Sequence, residues 1–565
     1  MLFLAQKILV DYFTMEVGIR SDIPTYSGGL GMLSGDIFKS ATDLGIPMRV
    51  ISNLYDHGYF TQAIKDKQQV EIYEPYNPEQ HMKKLEERVS VNIEGRNVKV
   101  KAWLYEYEGI DGFKNPALML STRCNDNPYW DERISDTLYR EEPNDRRYAR
   151  ICQELVLGVG GVKMAHALSG KYSIPEVLHL NEGHGAFATL EMLKRYGMKA
   201  AKEKMVFTTH TPIEAGHDRF EYDKIYSIMG DYLNGIDIKA LGGSDKLNMT
   251  LLALNMSRYA NGVSKIHGKV SQQMFPNHSI DSITNGVHSY TWTSPEFQKL
   301  YDQYIPEWRK NPCALIHVDR IPKSELLKAH RKEKQKYIDY INAHSKVKFH
   351  PDRILITQAR RFADYKRGDM PYYDLQGLID LSDGDLGLLH AGKAHPRDGR
   401  GKQIITNVIN FSEQANQNGK LLSEFLPDYN PEMAQIMVAG SDVWLNLPRR
   451  PYEASGTSGM KAAHNGVPSV STIDGWVYEV PKVEGKRQGI WQVGPEPDES
   501  NLWKSNDLED AKSLYKVLRE QVIPTCKNED LYVEMMIGAI KNAAWANTHR
   551  VVRELMEKAY LLQIH

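Results

Sequence analysis

Two kinds of apolar patterning alternate along this chain. Short, nearly unbroken apolar runs at 8–13, 47–54, 177–180, 205–209, 353–357, 385–390 and 441–446 are bounded by polar or turn-forming residues and read as buried strands. Between them apolar positions recur at helical spacing, notably over 146–168, 508–520 and 530–562, with a charge-rich helical region over 295–345. Strand, loop and helix in succession predict an α/β fold with parallel sheets. Residues 88–107 alternate instead, around Glu94-Gly95-Arg96-Asn97, which predicts a hairpin inserted on a sheet. Gly158, Gly160 and Gly161 fall inside a helix with no strand ahead, so they point to close helix packing and not to a nucleotide loop. A short strand at 282–285 marks the expected boundary between domains 1–286 and 287–565.

In open α/β sheets ligands bind at the carboxyl ends of strands, so the polar segments there are the candidates for chemistry. The stretch from Glu453 to Trp476 opens with the small residues Ser455, Gly456, Thr457 and Ser458. Gly456 reads as a turn leaving a strand and Thr457 as a helix start, whose unpaired amides and dipole suit a phosphate. Lys461 lies about one turn in, and an amine beside an anion cradle is what a phosphorylated aldehyde cofactor needs. A plain helix start with a surface lysine accounts for the same residues. Upstream, Arg360, Arg361, Lys366 and Arg367 leave the strand at 353–357, where guanidinium forks and an ammonium would hold phosphate oxygens. The glycine loop Tyr26-Ser27-Gly28-Gly29-Leu30-Gly31 follows the first strand and leads into a helix, either as an anion cradle or as a tight packing turn. Glu182 and His184 follow the strand at 177–180, and His210 follows the next. A zinc site from His184, His210 and His217 does not fit ligand spacing, so no metal is expected.

Composition narrows the partners. The 565 residues carry a net charge of −2, which removes any global electrostatic case for nucleic acid or an anionic membrane. Cys124, Cys152, Cys313 and Cys526 are scattered without metal spacing, pointing to reduced thiols and a cytoplasmic setting. Lys7 and Asp11 interrupt the first apolar run, which is expected to be a strand and not a signal peptide.

Together these segments resemble the α-glucan phosphorylases, the glycogen, starch and maltodextrin phosphorylase family of retaining glycosyltransferases. The motifs are YSGGLGMLSGD from Tyr26, HLNEGHGAFA from His179, TTHTPIEAGHD from Thr208, ITNGV from Ile283, RRFADYKR from Arg360, AGKAHP from Ala391 and EASGTSGMKAAHNG from Glu453. The chain is most similar to the short bacterial and archaeal forms, beginning almost at the first strand. The resemblance implies the GT-B architecture, two Rossmann-like doubly wound domains facing across a central cleft. It implies pyridoxal 5′-phosphate as an imine on Lys461, with Gly456, Thr457 and Ser458 around the cofactor phosphate and Arg360, Gly29 and Tyr429 also on the cofactor side. Arg361 and Lys366 match the pair that holds substrate phosphate, with amides of Gly29 and Leu30. Glu453, Ser455, Asn285, Tyr365, His184 and Glu182 match substrate contacts, and the backbone carbonyl of His210 would face the anomeric carbon.

The implied reaction is phosphorolysis of α-1,4-glucan to glucose 1-phosphate with retention, without the carboxylate pair of a retaining glycosidase. The implied partners are glucan, inorganic phosphate and a second copy of the chain, as a homodimer or higher homo-oligomer. A sugar-nucleotide-dependent glucosyltransferase of the same fold is the alternative, and a non-catalytic glucan-binding relative is a third. Two motifs depart from the long enzymes: GTSG stands for GTGN, and RRFADYKR for KRIHEYKR.

Overall fold

The computed structural model describes residues 8–140, 147–169, 175–498 and 504–561. Among them a nine-stranded sheet runs in the order Asp281–Ser282, Tyr259–Gly262, Met205–Thr208, Val177–Asn181, Val10–Thr14, Met48–Asn53, Lys114–Ser121, Arg96–Glu108 and Lys83–Ile93. The first seven are mutually parallel, and the last two form the antiparallel hairpin expected from the alternating segment. Its turn is Glu94-Gly95, both with positive φ, which matches the twist of the two strands.

Counted along the chain, the parallel strands lie 7-6-5-4-1-2-3. Such a sheet reverses direction once, between Val10–Thr14 and Val177–Asn181, and a crevice opens at that switch point. The central strands Val177–Asn181, Val10–Thr14 and Met48–Asn53 are buried throughout, as a parallel sheet covered on both faces requires.

A second sheet has six strands, all parallel, in the order Leu422–Leu426, Leu386–Ala391, Ile354–Ala359, Val443–Asn446, Ser469–Thr472 and Ile490–Val493. Counted along the chain this is 3-2-1-4-5-6, the doubly wound dinucleotide-fold order, with its switch point between Ile354–Ala359 and Val443–Asn446. The α/β reading and the two doubly wound sheets of the GT-B fold class are therefore present.

The chain forms two compact units. One runs to Phe60, resumes over Tyr73–Thr284 and is completed from Val551 onward, and the other holds Thr61–Ile72 and Asn285–Arg550. The units do not coincide with continuous halves. The hairpin Thr61–Lys65 and Gln68–Ile72 belongs to the second unit, where Gln62 Nε2 donates to the Gly392 carbonyl at 3.0 Å and Gln69 Nε2 to that of Ala394 at 2.9 Å. Val551, Val552 and Tyr560 pack in the core of the first unit with Tyr12 and Phe38.

Several elements differ in extent from the sequence reading. The expected strand at 282–285 is only Asp281–Ser282, although the Ile283 amide still donates to the Gly262 carbonyl at 3.0 Å. The closing helix divides into Glu529–Trp545 and Thr548–Leu555, broken at Ala546-Asn547; Leu562, its expected end, lies outside the described residues. Tyr148–Ala167 is one continuous helix with a wide π-type turn at Val156–Gly160; position 146 of its expected start lies outside the described residues. A Cβ on Gly158 would come within 2.5 Å of the Ala188 amide, and one on Gly161 within 2.8 Å of Ile51 and Phe13, so these glycines serve close packing as expected. All four cysteines are free. Among the described residues no helix is long and apolar enough to cross a membrane.

Candidate active site

At the switch point of the second sheet, the segment leaving Ile354–Ala359 meets the loop after Val443–Asn446. The strand expected immediately ahead of Gly456 is not there: 447–457 is loop, since Pro448 and Pro451 cannot donate to a ladder. Arg367 ties this loop down, its Nε donating to the Leu447 carbonyl at 2.7 Å and its Nη2 to that of Pro448 at 2.9 Å, while Nη1 pairs with Asp510 at 2.8 Å. Of the four cations that leave the strand, Arg367 is thus committed to structure.

Two of the others, Arg360 and Lys366, converge on one carboxylate. Glu453, buried, takes Arg360 Nη2 at 2.5 Å on Oε2 and Lys366 Nζ at 2.6 Å and 2.5 Å on its two oxygens. Burial alone would raise the Glu453 carboxyl, but Lys366 and Arg360 outweigh it and hold it below its ordinary value, so the group is an ionised acceptor. Arg361 is exposed, its Nη2 reaching the Tyr365 hydroxyl at 3.5 Å. Burial pushes the Tyr365 phenol up, yet Lys366, Arg361 and Arg360 together bring it below its usual range.

Two donors of Arg360, Nε and Nη1, are buried without a hydrogen-bond partner, as are the side-chain amide of Gln358 and the Ser455 hydroxyl. Unpaired buried polar groups are costly, and several at one sheet end point to a polar ligand.

Gly456 takes φ +75°, a backbone that favours glycine. Thr457 precedes a six-residue helix, Ser458–Ala463, its carbonyl accepting the Lys461 amide at 3.1 Å. Ser458 Oγ accepts from Trp444 Nε1 at 3.1 Å. Lys461 is buried, with Nζ 3.6 Å from the ring centroid of Trp292. Asn465 fixes this arrangement: its Nδ2 donates to the carbonyls of Trp292 and Lys461 at 2.8 Å and 3.1 Å, and its Oδ1 accepts the Ser294 amide at 2.7 Å. Tyr429 packs on the cluster holding Ala462 and Trp444. The Asn285 carbonyl accepts from Arg550 Nη2 at 2.9 Å.

Sequence reasoning did not single out Trp292, Gln358 or Asp474. Asp474 is buried, with Oδ2 accepting the Glu453 amide at 2.9 Å and Oδ1 the Gly475 amide at 2.8 Å. Burial, with the Glu453 charge adding to it, pushes its carboxyl up to about 7, against the amides and Lys366, which lower it. Its ordinary value is 3.8, so between 3.8 and about 7 the folded chain keeps a proton that the unfolded chain has lost, and stability falls as pH rises through that window. Asp474→Asn has no such proton. Its melting temperature should gain on that of the native chain as pH rises, and melting curves that stay parallel throughout would refute this.

In the first unit, the switch point brings Thr14 beside Asn181, and the residues past these strands form a second cluster. Glu182, at φ +73°, accepts the Gly183 amide on Oε1 at 3.0 Å, and on Oε2 the His210 amide at 2.7 Å and the Thr211 hydroxyl at 3.0 Å. Asn181 Oδ1 lies 2.6 Å from His210 Nε2. The His210 peptide and ring are thereby both held. Burial drops the His210 and His184 imidazoles to about 3, so both are neutral at pH 7. His184 lies 3.7 Å from Asp218 and edge-on to Tyr139. His217 instead bonds Thr250 at 2.8 Å, and no metal-holding trio of His, Cys, Asp or Glu occurs among the described residues. Gly29 and Leu30 open the helix Gly29–Asp43 with no side-chain cap.

Residues 176–555 match the carbohydrate phosphorylase family, a span that takes in Glu182, His210, Arg360, Glu453 and Lys461. The chain belongs to the carbohydrate phosphorylase family. It is 38% identical to the maltodextrin phosphorylase of Thermococcus litoralis, over 98% of this chain and 70% of that one. It is 30% identical to the glycogen phosphorylase of Mycobacterium tuberculosis, over 98% and 70% of the two chains. It is also 30% identical to the glycogen phosphorylase of Aquifex aeolicus, over 97% and 85%. Residues 21–290 also match the starch synthase catalytic domain, another glycosyl-transfer family. Membership makes the chain a glycosyltransferase of carbohydrate metabolism, in a family that generally depends on pyridoxal 5′-phosphate.

Proposed function

We propose that this chain cleaves terminal α-1,4-glucosidic bonds of a glucan with inorganic phosphate, releasing glucose 1-phosphate with retention. The observation that carries the reading is the pair of buried, unpartnered Arg360 donors beside Lys366, at the end of a sheet that also carries the buried amine of Lys461.

The residues present fit pyridoxal 5′-phosphate. Lys461 offers a primary amine shielded from water, and Gly456, Thr457 and Ser458 form the small-residue approach to its helix. Arg360 and Tyr429 would line the cofactor side. When bound, the group supplies a second phosphate able to exchange a proton with the substrate phosphate.

The chain's own residues do the rest. Arg361 and Lys366 bind substrate phosphate and compensate its charge, with the amides of Gly29 and Leu30 as further donors. Glu453, kept ionised by its two cations, accepts from glucose hydroxyls, and Ser455, Asn285 and Tyr365 orient the ring. Glu182 holds the His210 amide and Asn181 its ring, so that the His210 carbonyl dipole can meet positive charge developing at the anomeric carbon. Glu182 and His184 border the glucan.

The starch synthase match of residues 21–290 favours one other reading, transfer from a nucleotide sugar. Incubation of the purified chain with maltodextrin and phosphate, against maltodextrin with ADP-glucose or UDP-glucose, separates them. Phosphate-dependent release of glucose 1-phosphate is expected. Chain elongation from the nucleotide sugar, with no phosphate dependence, would replace the proposal.

A further inference from the structure

We propose that Glu16 is a positioning residue for phosphate turnover: its carboxylate, braced by the Tyr139 hydroxyl, sets the glycine loop so that the amides from Gly29 onward remain for substrate phosphate. This rests on the function proposed above.

Glu16 lies two residues past Val10–Thr14, at the switch point of the first sheet, and is buried. Its Oε2 accepts the Ser27 amide at 2.6 Å and the Gly28 amide at 3.2 Å. The Ser27 hydroxyl donates to Oε1 at 3.0 Å and to Oε2 at 3.1 Å, and the Tyr139 hydroxyl to Oε1 at 2.6 Å. Burial, with the Glu16 charge adding to it, pushes the Tyr139 phenol far up, so Tyr139 stays a donor. Its ring is held by the Arg150 guanidinium, 4.6 Å away, and by the edge-on contact with His184.

The carboxylate thus takes the two amides just before the helix. The first helical bond runs from Met32 N to Gly28 O at 3.2 Å, so the amides of Gly29, Leu30 and Gly31 precede the helix's own ladder. The three glycines then divide by role. A Cβ on Gly31 would lie 2.7 Å from Glu16 Oε2 and from Tyr26 Cβ, so Gly31 makes room for the carboxylate. A Cβ on Gly28 or Gly29 would meet no protein atom within 4 Å. Packing does not require glycine there, and a bare backbone on open space suits close approach by a ligand.

The sign of one substitution separates positioning from charge. If Glu16 acted through its negative charge, neutralising it would strengthen phosphate binding. If it orients amides, Glu16→Gln weakens binding, because the new NH2 group faces the N–H donors it replaces acceptors for. Steady-state kinetics of the cofactor-loaded enzyme should show the KM for phosphate rising about tenfold in Glu16→Gln, with the KM for maltodextrin within about twofold. Ser27→Ala, which leaves the amide in place, should show a smaller rise of the same kind.

Hydrogen exchange of the 27–31 amides supplies a readout apart from activity. Inorganic phosphate should slow exchange in the native chain and have little effect in Glu16→Gln. A lowered phosphate KM, equal rises in both KM values, or the same phosphate protection in the variant would each overturn the proposal. A native chain that never releases glucose 1-phosphate would remove the functional reading, while the exchange data would still decide whether Glu16 prepares these amides for phosphate.

Discussion

Lys461→Ala is expected to lose the near-ultraviolet absorbance of bound pyridoxal phosphate and at least about a thousandfold in phosphorolysis, since its amine anchors a group that the reaction requires. The loss should not come from unfolding. Lys461 is buried against Trp292, and its stem contributes packing, so Lys461→Met serves as a control that keeps the volume while removing the amine. Both variants should lose the band and the activity, and the Met variant should melt close to the native chain. A Lys461→Met enzyme that keeps the absorbance or turns over glucan would dismiss Lys461 as the anchor.

The second large effect is on stability. Glu453 is the buried counter-anion of two half-buried cations, and its removal leaves Arg360 and Lys366 uncompensated. Breaking a buried pair of this kind costs about 3–5 kcal/mol. Glu453→Ala should therefore melt well below the native chain and lose activity with it. Inorganic phosphate should restore more of the melting temperature in this variant than in the native chain, because an anion that binds the folded state stabilises it by mass action. The pH dependence has a definite sign. The Glu453 carboxyl is depressed below its ordinary value of 4.5, so its contribution is present above 4.5 and is lost as pH falls below that. The gap between native and Glu453→Gln chains should accordingly narrow in acid. An unchanged melting temperature in Glu453→Ala, or no phosphate rescue, would show that the cations find other partners.

Much of this site was legible before any fold was known. Lys461, Arg360, Arg361 and Lys366 stand out by residue type and by position after a predicted strand, and Glu453 through the family resemblance; all but the exposed Arg361 fall on buried or half-buried positions of one sheet end. Arg360 and Arg367 looked equivalent in sequence, yet one keeps two unpartnered donors and the other is spent on the Leu447 and Pro448 carbonyls. That difference depends on a loop about eighty residues away, which no local window contains.

The strands Leu422–Leu426 and Ile490–Val493 are not read from the sequence because Ser423, Glu424 and Gln492 interrupt their apolar runs. Trp292 was equally silent: nothing around it marks a residue that will lie under the Lys461 amine, since Asn465 creates that contact across the fold.

By itself the chain determined what local chemistry can determine. Apolar runs of strand length, helices between them and turn residues at their ends specify an α/β protein, because backbone hydrogen bonding and burial act within a few residues. Its motif residues also carry the family assignment. Tertiary structure alone decided the strand order that creates two switch points, the transfer of Thr61–Ile72 to the second unit, the unequal fates of neighbouring arginines and the seat of Glu16 behind the glycine loop. These rest on contacts between distant segments, where which side chain is desolvated against which partner is settled only when the whole core closes.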